Sequence, residues 1–176
     1  MSAEIKRRIL ASSRCFYGLR PHLRSKLLSK STKLLLYKTL IRPVLLYGSE
    51  SWTMTKKDEQ DLLVHERRIL RCIFGPVLER GEWRRRNNQE LYCRTREPDI
   101  SRVVRLGRLR WAGHLARMEN SAIPHKVLTD QIFASRRGVG RPKLRWCDGV
   151  AKDARDLLGT RNWRAAPQKV RHAGAA

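Results

Sequence analysis

The chain has 176 residues, with 39 Lys plus Arg against 16 Asp plus Glu, and a formal charge of +23. Such a charge favours a polyanionic partner, RNA or DNA, because the release of condensed counterions drives cation-rich surfaces onto phosphates. A membrane surface is the second candidate partner, but no run of about 18 apolar residues occurs and residues 1–10 lack the pattern of a signal peptide. We therefore expect no membrane-spanning segment and no membrane partner. The expected location is intracellular, in the nucleus or the cytoplasm.

Cysteine and histidine residues are scattered along the chain rather than paired. The four cysteines form no C-x-x-C pair, and the five histidines are equally dispersed. Zinc knuckles and ribbons need close ligand pairs, so we expect no metal site and no cofactor in this chain. Scattered cysteines without a signal sequence are typical of reduced thiols.

Apolar residues at helical spacing predict a first helix near the N-terminus. Ile5, Ile9 and Phe16 lie on its expected buried face. Gly18 and Pro21 are expected to stop it.

A second, strongly apolar helix is predicted to begin near Ser31. Pro43 should kink or end it, because proline lacks an amide donor and clashes with the preceding turn. Residues 34–52 form the most hydrophobic segment and are predicted to be the first core. Three aromatic residues of this segment are expected to be structural, namely Tyr37, Tyr47 and Trp52.

A third helix is predicted from Thr55 and Asp58, which have the spacing of a capping box, to a stop at Gly75 and Pro76. Acidic residues lie in its first turns and three arginines lie near its end, which suits the helix dipole. These arginines are Arg67, Arg68 and Arg71. Because the dipole explains the charges without a function, they are not assigned to a site.

Residues 77–88 are predicted to form a loop-like break with a basic cluster. Arg84, Arg85 and Arg86 directly follow Trp83. Arginines beside an exposed indole can stack on and hold single-stranded nucleic acid, whereas a flexible, solvated linker would carry the same residues without a partner. Both interpretations are open at this stage. Asn87 and Glu90 are then expected to cap a short helix.

Residues 102–118 are predicted to form an amphipathic helix that Pro98 and Asp99 start. Its apolar face is formed by Val103, Val104, Gly107, Trp111, His114, Leu115 and Met118. The arginines outside that face are Arg102, Arg105, Arg108, Arg110 and Arg117. Guanidinium groups suit phosphate, so these arginines are predicted to contact nucleic acid; an ordinary helix with solvated charges is the alternative.

The rest of the chain is predicted to contain a short helix at 123–128, an irregular basic segment, and a last amphipathic helix that ends at Gly159, with Trp163 docking the tail. The basic residues that complete the predicted contacts are Arg136, Arg137, Arg141, Lys143 and Arg145. Gly140-Arg141-Pro142 also matches the core of an AT-hook, a minor-groove element, although three residues are a weak signal.

Few segments alternate with a period of two, so the predicted fold class is all-α. We expect a helical bundle over residues 1–75, followed by a basic, partly irregular helical region over 76–176. The sequence contains no glycine-rich phosphate loop, no H-E-x-x-H and no G-x-S-x-G pattern. The isolated chain is therefore expected to bind rather than to catalyse.

Several segments together resemble the carboxy-terminal part of a reverse transcriptase from a non-LTR retrotransposon. They are Leu36-Tyr37-Lys38-Thr39, the run from Pro43 to Trp52, the run from Leu109 to Met118, the run from Gly140 to Trp146, and Asn162-Trp163-Arg164. The resemblance implies that residues 1–75 correspond to the end of the palm and the helical thumb. Residues 76–176 would be the basic region after the thumb, and both would grip template and primer.

The resemblance also implies what this chain does not contain. The family's fingers and its Tyr-x-Asp-Asp palm motif would lie before Met1, so the aspartates that bind the magnesium of the parent polymerase are expected to be absent. We therefore expect a truncated, catalytically incomplete fragment that retains nucleic-acid binding. One alternative is a polymerase whose palm is supplied in trans or in a longer product. Another is a repurposed DNA-binding protein that uses residues 140–143.

Overall fold

A computed structural model describes residues 1–129, 140, 144–160 and 163 of the chain. The described residues are largely helical, with one two-stranded sheet, and the prediction of an all-α fold is confirmed. They fall into two compact units. The first comprises Met1–Gly48 and Met54–Val103, and the second comprises Ser49–Thr53 and the described residues from Val104 onward. The division at residues 75 and 76 concerns regions of the resembled family and stays a prediction.

The first unit is built from helices and one hairpin. In chain order its elements are α1 (Ser2–Arg24), α2 (Lys30–Leu36), a π-helical turn (Tyr37–Ile41), α3 (Arg42–Leu46), α4 (Lys56–Phe74), β1 (Val77–Glu79), β2 (Glu82–Arg84), α5 (Asn88–Thr95) and the start of α6 (Ile100–Ala116). Its core is formed by Phe16, Leu23, Tyr37, Ile41, Ile69, Leu70, Ile73, Phe74 and Leu91. Burial of these side chains removes apolar surface from water and stabilises the unit.

The second unit contains a short 3-10 turn (Ser49–Ser51), most of α6, α7 (Ile123–Thr129) and α8 (Trp146–Leu158). Leu109 and Ala112 of α6 pack with Val150 and Ala154 of α8. Trp163 packs against this core, as predicted. Gly159 ends α8 in the left-handed conformation with φ 66°.

Local capping signals predicted several helix ends correctly. Thr55 and Asp58 form the expected capping box at the start of α4, and Gly75 ends that helix with φ 69°. Asn87 and Glu90 form a second capping box, which starts α5. Asp99 accepts a hydrogen bond from the Arg102 amide at 2.9 Å in the first turn of α6.

The predicted stop of the first helix at Gly18 and Pro21 is wrong. Helix α1 continues to Arg24, with Pro21 inside it. Leu23, beyond the proline, is fully buried in the core of the first unit. Burial of this last turn offsets the cost of the missing amide donor at Pro21.

Pro43 has the effect predicted for it, and the kink takes the form of a π-helical turn. The Arg42 amide donates to the Tyr37 carbonyl, five residues back rather than four. Pro43 then lies in the first turn of α3, where the missing amide donor costs little. Tyr37 and Trp52 are buried as predicted, but Tyr47 is 69% exposed and lies under the Arg8 guanidinium. The expectation that Tyr47 belongs to the core is therefore wrong.

The predicted register of the central helix is partly wrong. Val104 and Leu115 are buried as expected, whereas Trp111 and His114 are exposed. Arg108, placed outside the apolar face by spacing alone, is only 4% exposed. The reason is a partner on α8: Asp153, itself 2% exposed, pairs with its guanidinium.

Two kinds of feature are absent from the described residues. None of the described helices combines the length and the apolar character that a membrane span needs. Within the part of the chain that the structure describes, no group of three or more His, Cys, Asp or Glu side chains is arranged to hold a metal ion.

Candidate nucleic-acid interface

A basic groove lies in the first unit, between the C-terminal part of α4 and the hairpin that follows it. It is open to solvent and has a volume of about 400 Å³. Its walls are formed by Arg68, Arg71, Gly75, Pro76, Trp83, Arg84, Arg85 and Arg86. Five guanidinium groups and one indole therefore border a single concave surface.

The hairpin that forms one wall was not predicted, because residues 77–88 were expected to be a loop. Strands β1 and β2 pair antiparallel, with Leu78 opposite Trp83 and Glu79 opposite Glu82. The two connecting residues, Arg80 and Gly81, have φ of 50° and 85°. Positive φ at both positions is the signature of the tight turn that best matches the twist of a two-stranded ribbon.

Arg86 fixes the hairpin to the end of α4. Its Nε donates to the Gly75 carbonyl at 3.1 Å, and one terminal nitrogen donates to the Pro76 carbonyl at 3.2 Å. The residue is 8% exposed. Arg86 is therefore a structural part of the groove wall, and its contact with nucleic acid stays a prediction.

The charge of Arg84 is neutralised by ion pairs with Glu79 and Glu90. One terminal nitrogen donates to Glu90 at 2.6 Å, and its Nε donates to Glu79. Hydrogen bonds to Glu90 and Glu79 raise the pKa of Arg84 above its ordinary value. Its charge is therefore largely offset inside the protein, which leaves less of it for an external anion.

Two cations of the groove, Arg71 and Arg85, form no ion pair with an acid among the described residues. Arg71 donates to neutral acceptors, the Arg86 carbonyl at 3.3 Å and Asn88 Oδ1 at 2.7 Å. Burial lowers the pKa of Arg71, and the charges of Arg85 and Arg67 lower it further. Arg85 is exposed, and among the described residues no acid forms an ion pair with it. The groove thus carries excess positive charge.

Two aromatic rings accompany these cations. Trp83 is 70% exposed on β2. Arg68, at the other side of the groove, contacts the Tyr17 hydroxyl, and its guanidinium lies 5.3 Å from the centre of the Tyr17 ring. Such stacking leaves a guanidinium charged and oriented, because a ring face attracts a cation without neutralising it.

The arginines of the central helix have three different environments. Arg102 and Arg110 are exposed on α6, and Arg117 is exposed directly after its end. Arg105 is half-buried, with its nitrogens 3.9 Å from carboxylate oxygens of Asp153 and Asp156. Arg108 is buried, and Arg145, just before α8, is half-buried. The other predicted contacts lie outside the described residues: Arg136, Arg137, Arg141 and Lys143.

Sequence reasoning missed Arg68 and Arg71 as groove residues. Both were explained by the dipole of α4, and nothing in their spacing points to the hairpin. The available signal was Gly81, flanked by the short segments Val-Leu-Glu and Glu-Trp-Arg, which allows a tight turn. That turn brings Trp83 and Arg85 to the end of α4.

One comparison with known proteins gives a relative. The chain is 26% identical, over 150 residues, to the Caenorhabditis elegans protein named "Putative uncharacterized transposon-derived protein F52C9.6". The alignment covers 85% of this chain and 53% of the relative, so the chain spans about half the length of the protein it matches. No protein-family model and no solved structure matches the chain.

Proposed function

We propose that this chain is derived from a transposon-encoded reverse transcriptase of the non-LTR class and binds RNA or DNA through its phosphates. It would correspond to the thumb and the basic region after it, which hold template and primer. That a longer protein containing this chain would act as a reverse transcriptase is part of the same proposal. Magnesium would belong to the polymerase centre of such a protein.

The similarity to a transposon-derived relative supports the origin. It extends over 85% of the chain, which is more than either compact unit alone, and therefore reaches both. The segments that resemble reverse transcriptases, such as Leu36-Tyr37-Lys38-Thr39, are distributed over the same length. The finer assignment to reverse transcriptases rests on those segments, since the name of the relative states only a transposon origin.

The basic groove is the observation that carries the binding function. Five arginines border it, and Glu79 and Glu90 neutralise only Arg84 among them in the described structure. Excess cations on one concave surface attract a polyanion, and guanidinium groups hold phosphate oxygens with two parallel donors. Contacts of this kind position a nucleic acid without reading its sequence.

The exposed arginines of α6 support the same function independently. Arg102 and Arg110 extend into solvent from a helix whose buried side is occupied by Val104, Leu109 and Ala112. Solvated cations on a rigid helix cost little to align with a phosphate backbone.

A salt titration of binding tests this function. The purified chain is mixed with labelled oligonucleotides of unrelated sequence, and their fluorescence anisotropy is followed as salt increases. We expect affinity to fall steeply with salt and to differ little between sequences, because counterion release supplies most of the binding free energy. Binding that is absent at low salt, or that does not change with salt, would contradict the proposal.

A further inference from the structure

We infer that the basic groove is a site for single-stranded nucleic acid, in which an unpaired base stacks on Trp83 while adjacent phosphates contact Arg85 and Arg71. Because the ligand is the nucleic acid proposed above, this site rests on that function. The site adds a preference for single strands to the proposed function, because phosphate contacts alone do not distinguish single strands from duplexes.

The hairpin presents an apolar platform that the fold itself does not use. Trp83 and Leu78 are paired across the two strands and are 70% and 54% exposed. Cross-strand partners lie on the same face of a sheet, so the two side chains share one surface. An indole in solvent offers a flat face on which any base can stack.

The surface next to this platform presents guanidinium hydrogen-bond donors rather than free carbonyl acceptors. Arg86 engages the carbonyl oxygens of Gly75 and Pro76, two backbone acceptors of the groove wall. Arg71 and Arg85 add positive charge at the same surface, and burial with the charge of Arg85 lowers the pKa of Arg71. An aromatic face next to uncompensated guanidinium groups matches a base joined to phosphates.

Duplexes are poor ligands for such a platform. In a duplex the base faces are covered by their neighbours, so stacking on Trp83 would first require the cost of unpairing and unstacking a base. A single strand meets no such cost and can place a base and its phosphates together. The same groove could attract an acidic peptide through its arginines, but a peptide backbone offers no planar ring to the indole.

The test compares a labelled 12-nucleotide single strand with its duplex at one salt concentration. Trp83→Ala should weaken binding of the single strand by about 5- to 150-fold, the range for loss of one stacked base, and change duplex binding by less than about twofold. Trp83→Phe should retain most of the affinity, since a smaller ring still stacks. Trp111→Ala, at an exposed tryptophan outside the groove, is the matched control and should leave single-strand binding unchanged. Circular dichroism confirms that each variant is folded.

The outcomes separate this site from the general function. If Trp83→Ala weakens single-strand and duplex binding equally, or not at all, the stacking site is wrong while phosphate binding stands. If a labelled poly-glutamate peptide binds the wild type as tightly as the single strand does, and Trp83→Ala weakens the binding of neither, the groove is a site for acidic peptide instead. If the wild type binds neither oligonucleotide, the proposed function fails as well.

Discussion

Arg108 and Arg110 lie two residues apart on α6 and differ in what their guanidinium groups contact. Arg108 donates through Nε to Asp153 at 2.8 Å and through a terminal nitrogen to the Trp52 carbonyl at 2.7 Å. Both charged side chains of this pair are nearly inaccessible, whereas Arg110 is exposed. Removal of Arg108 would leave the buried Asp153 carboxylate without these hydrogen bonds, with Arg105 Nε 3.9 Å away, and a buried charge that loses its partner is the costly case.

Stability measurements on two matched variants test this difference. Arg108→Met should lower the free energy of unfolding by roughly 3–5 kcal/mol, because the Asp153 carboxylate stays buried. Arg110→Met should change it by less than about 0.5 kcal/mol, as expected for an exposed site. Denaturant unfolding followed by circular dichroism gives both values. Equal effects of the two substitutions would show that Arg108 is not held in this pair.

His65 links the stability of the fold to pH. Its Nε2 lies 3.0 Å from the Ser12 hydroxyl, and both residues are buried. Burial, and then the charge of Arg68, lower the pKa of His65 to about 4. The unfolded chain therefore binds a proton near pH 6.5, where the folded chain does not, and acidification below that value favours unfolding.

Replacement of His65 by Gln should remove this contribution. Between pH 6.5 and pH 5 we expect the wild type to lose about 1.5 kcal/mol more stability than His65→Gln. Glu66 acts in the opposite direction, since burial raises the pKa of its carboxyl, but it is present in both proteins and cancels in the difference. Unfolding midpoints measured across this pH range provide the check. Parallel pH profiles for the two proteins would contradict it.

The elements that could be predicted are those that depend on neighbouring residues. The capping boxes at Thr55 and Asn87 and the glycine stop at Gly75 involve groups within a few positions of each other, so the sequence displays them directly. The hairpin was missed because strands of three residues are too short to show alternation. Because the hairpin was missed, the groove residues on α4, Arg68 and Arg71, were missed too.

Two glycines at the element scale allow a matched test of the hairpin. Gly81→Ala should lower the stability of the hairpin by about 1 kcal/mol, because φ of 85° is unfavourable for a residue with a Cβ atom. Gly18→Ala, within α1 and with no atom within 4 Å of an added Cβ, should raise the free energy of unfolding by about 0.5–1 kcal/mol.

Hydrogen exchange of the amides in residues 77–84 measures the first effect, and denaturant unfolding measures the second. Unchanged exchange in Gly81→Ala would show that the turn at residues 80 and 81 does not hold the two strands together.

Contacts between distant parts of the chain explain why sequence reasoning failed at other points. The register of α6 depends on Asp153, which follows Arg108 by 45 residues, and no local pattern reveals that partner. Helix α1 continues beyond Pro21 because burial of Leu23 in the core stabilises its last turn. The spacing of apolar residues predicted the central helix correctly, but it predicted that Arg108, which is buried, would be exposed to solvent.

At the scale of the whole molecule, several acids of the described residues pair with basic residues of the protein itself. Glu97 pairs with Lys38 and Arg42 at 2.5 Å, Asp153 pairs with Arg108, and two other acids pair with Arg84. With 39 basic and 16 acidic residues, such pairing leaves a large excess of cations. That excess opposes compactness until an anion neutralises it, so a polyanion should bind and also stabilise the fold.

The most direct measurement of this central claim is the slope of the logarithm of the binding constant against the logarithm of the salt concentration for a single-stranded oligonucleotide. We predict a straight line of negative slope, about −0.7 for each phosphate neutralised. Arg85→Gln should make the slope shallower by about 0.7, because one exposed groove cation is lost. A slope near zero in the wild type, or one that Arg85→Gln leaves unchanged, would contradict the account.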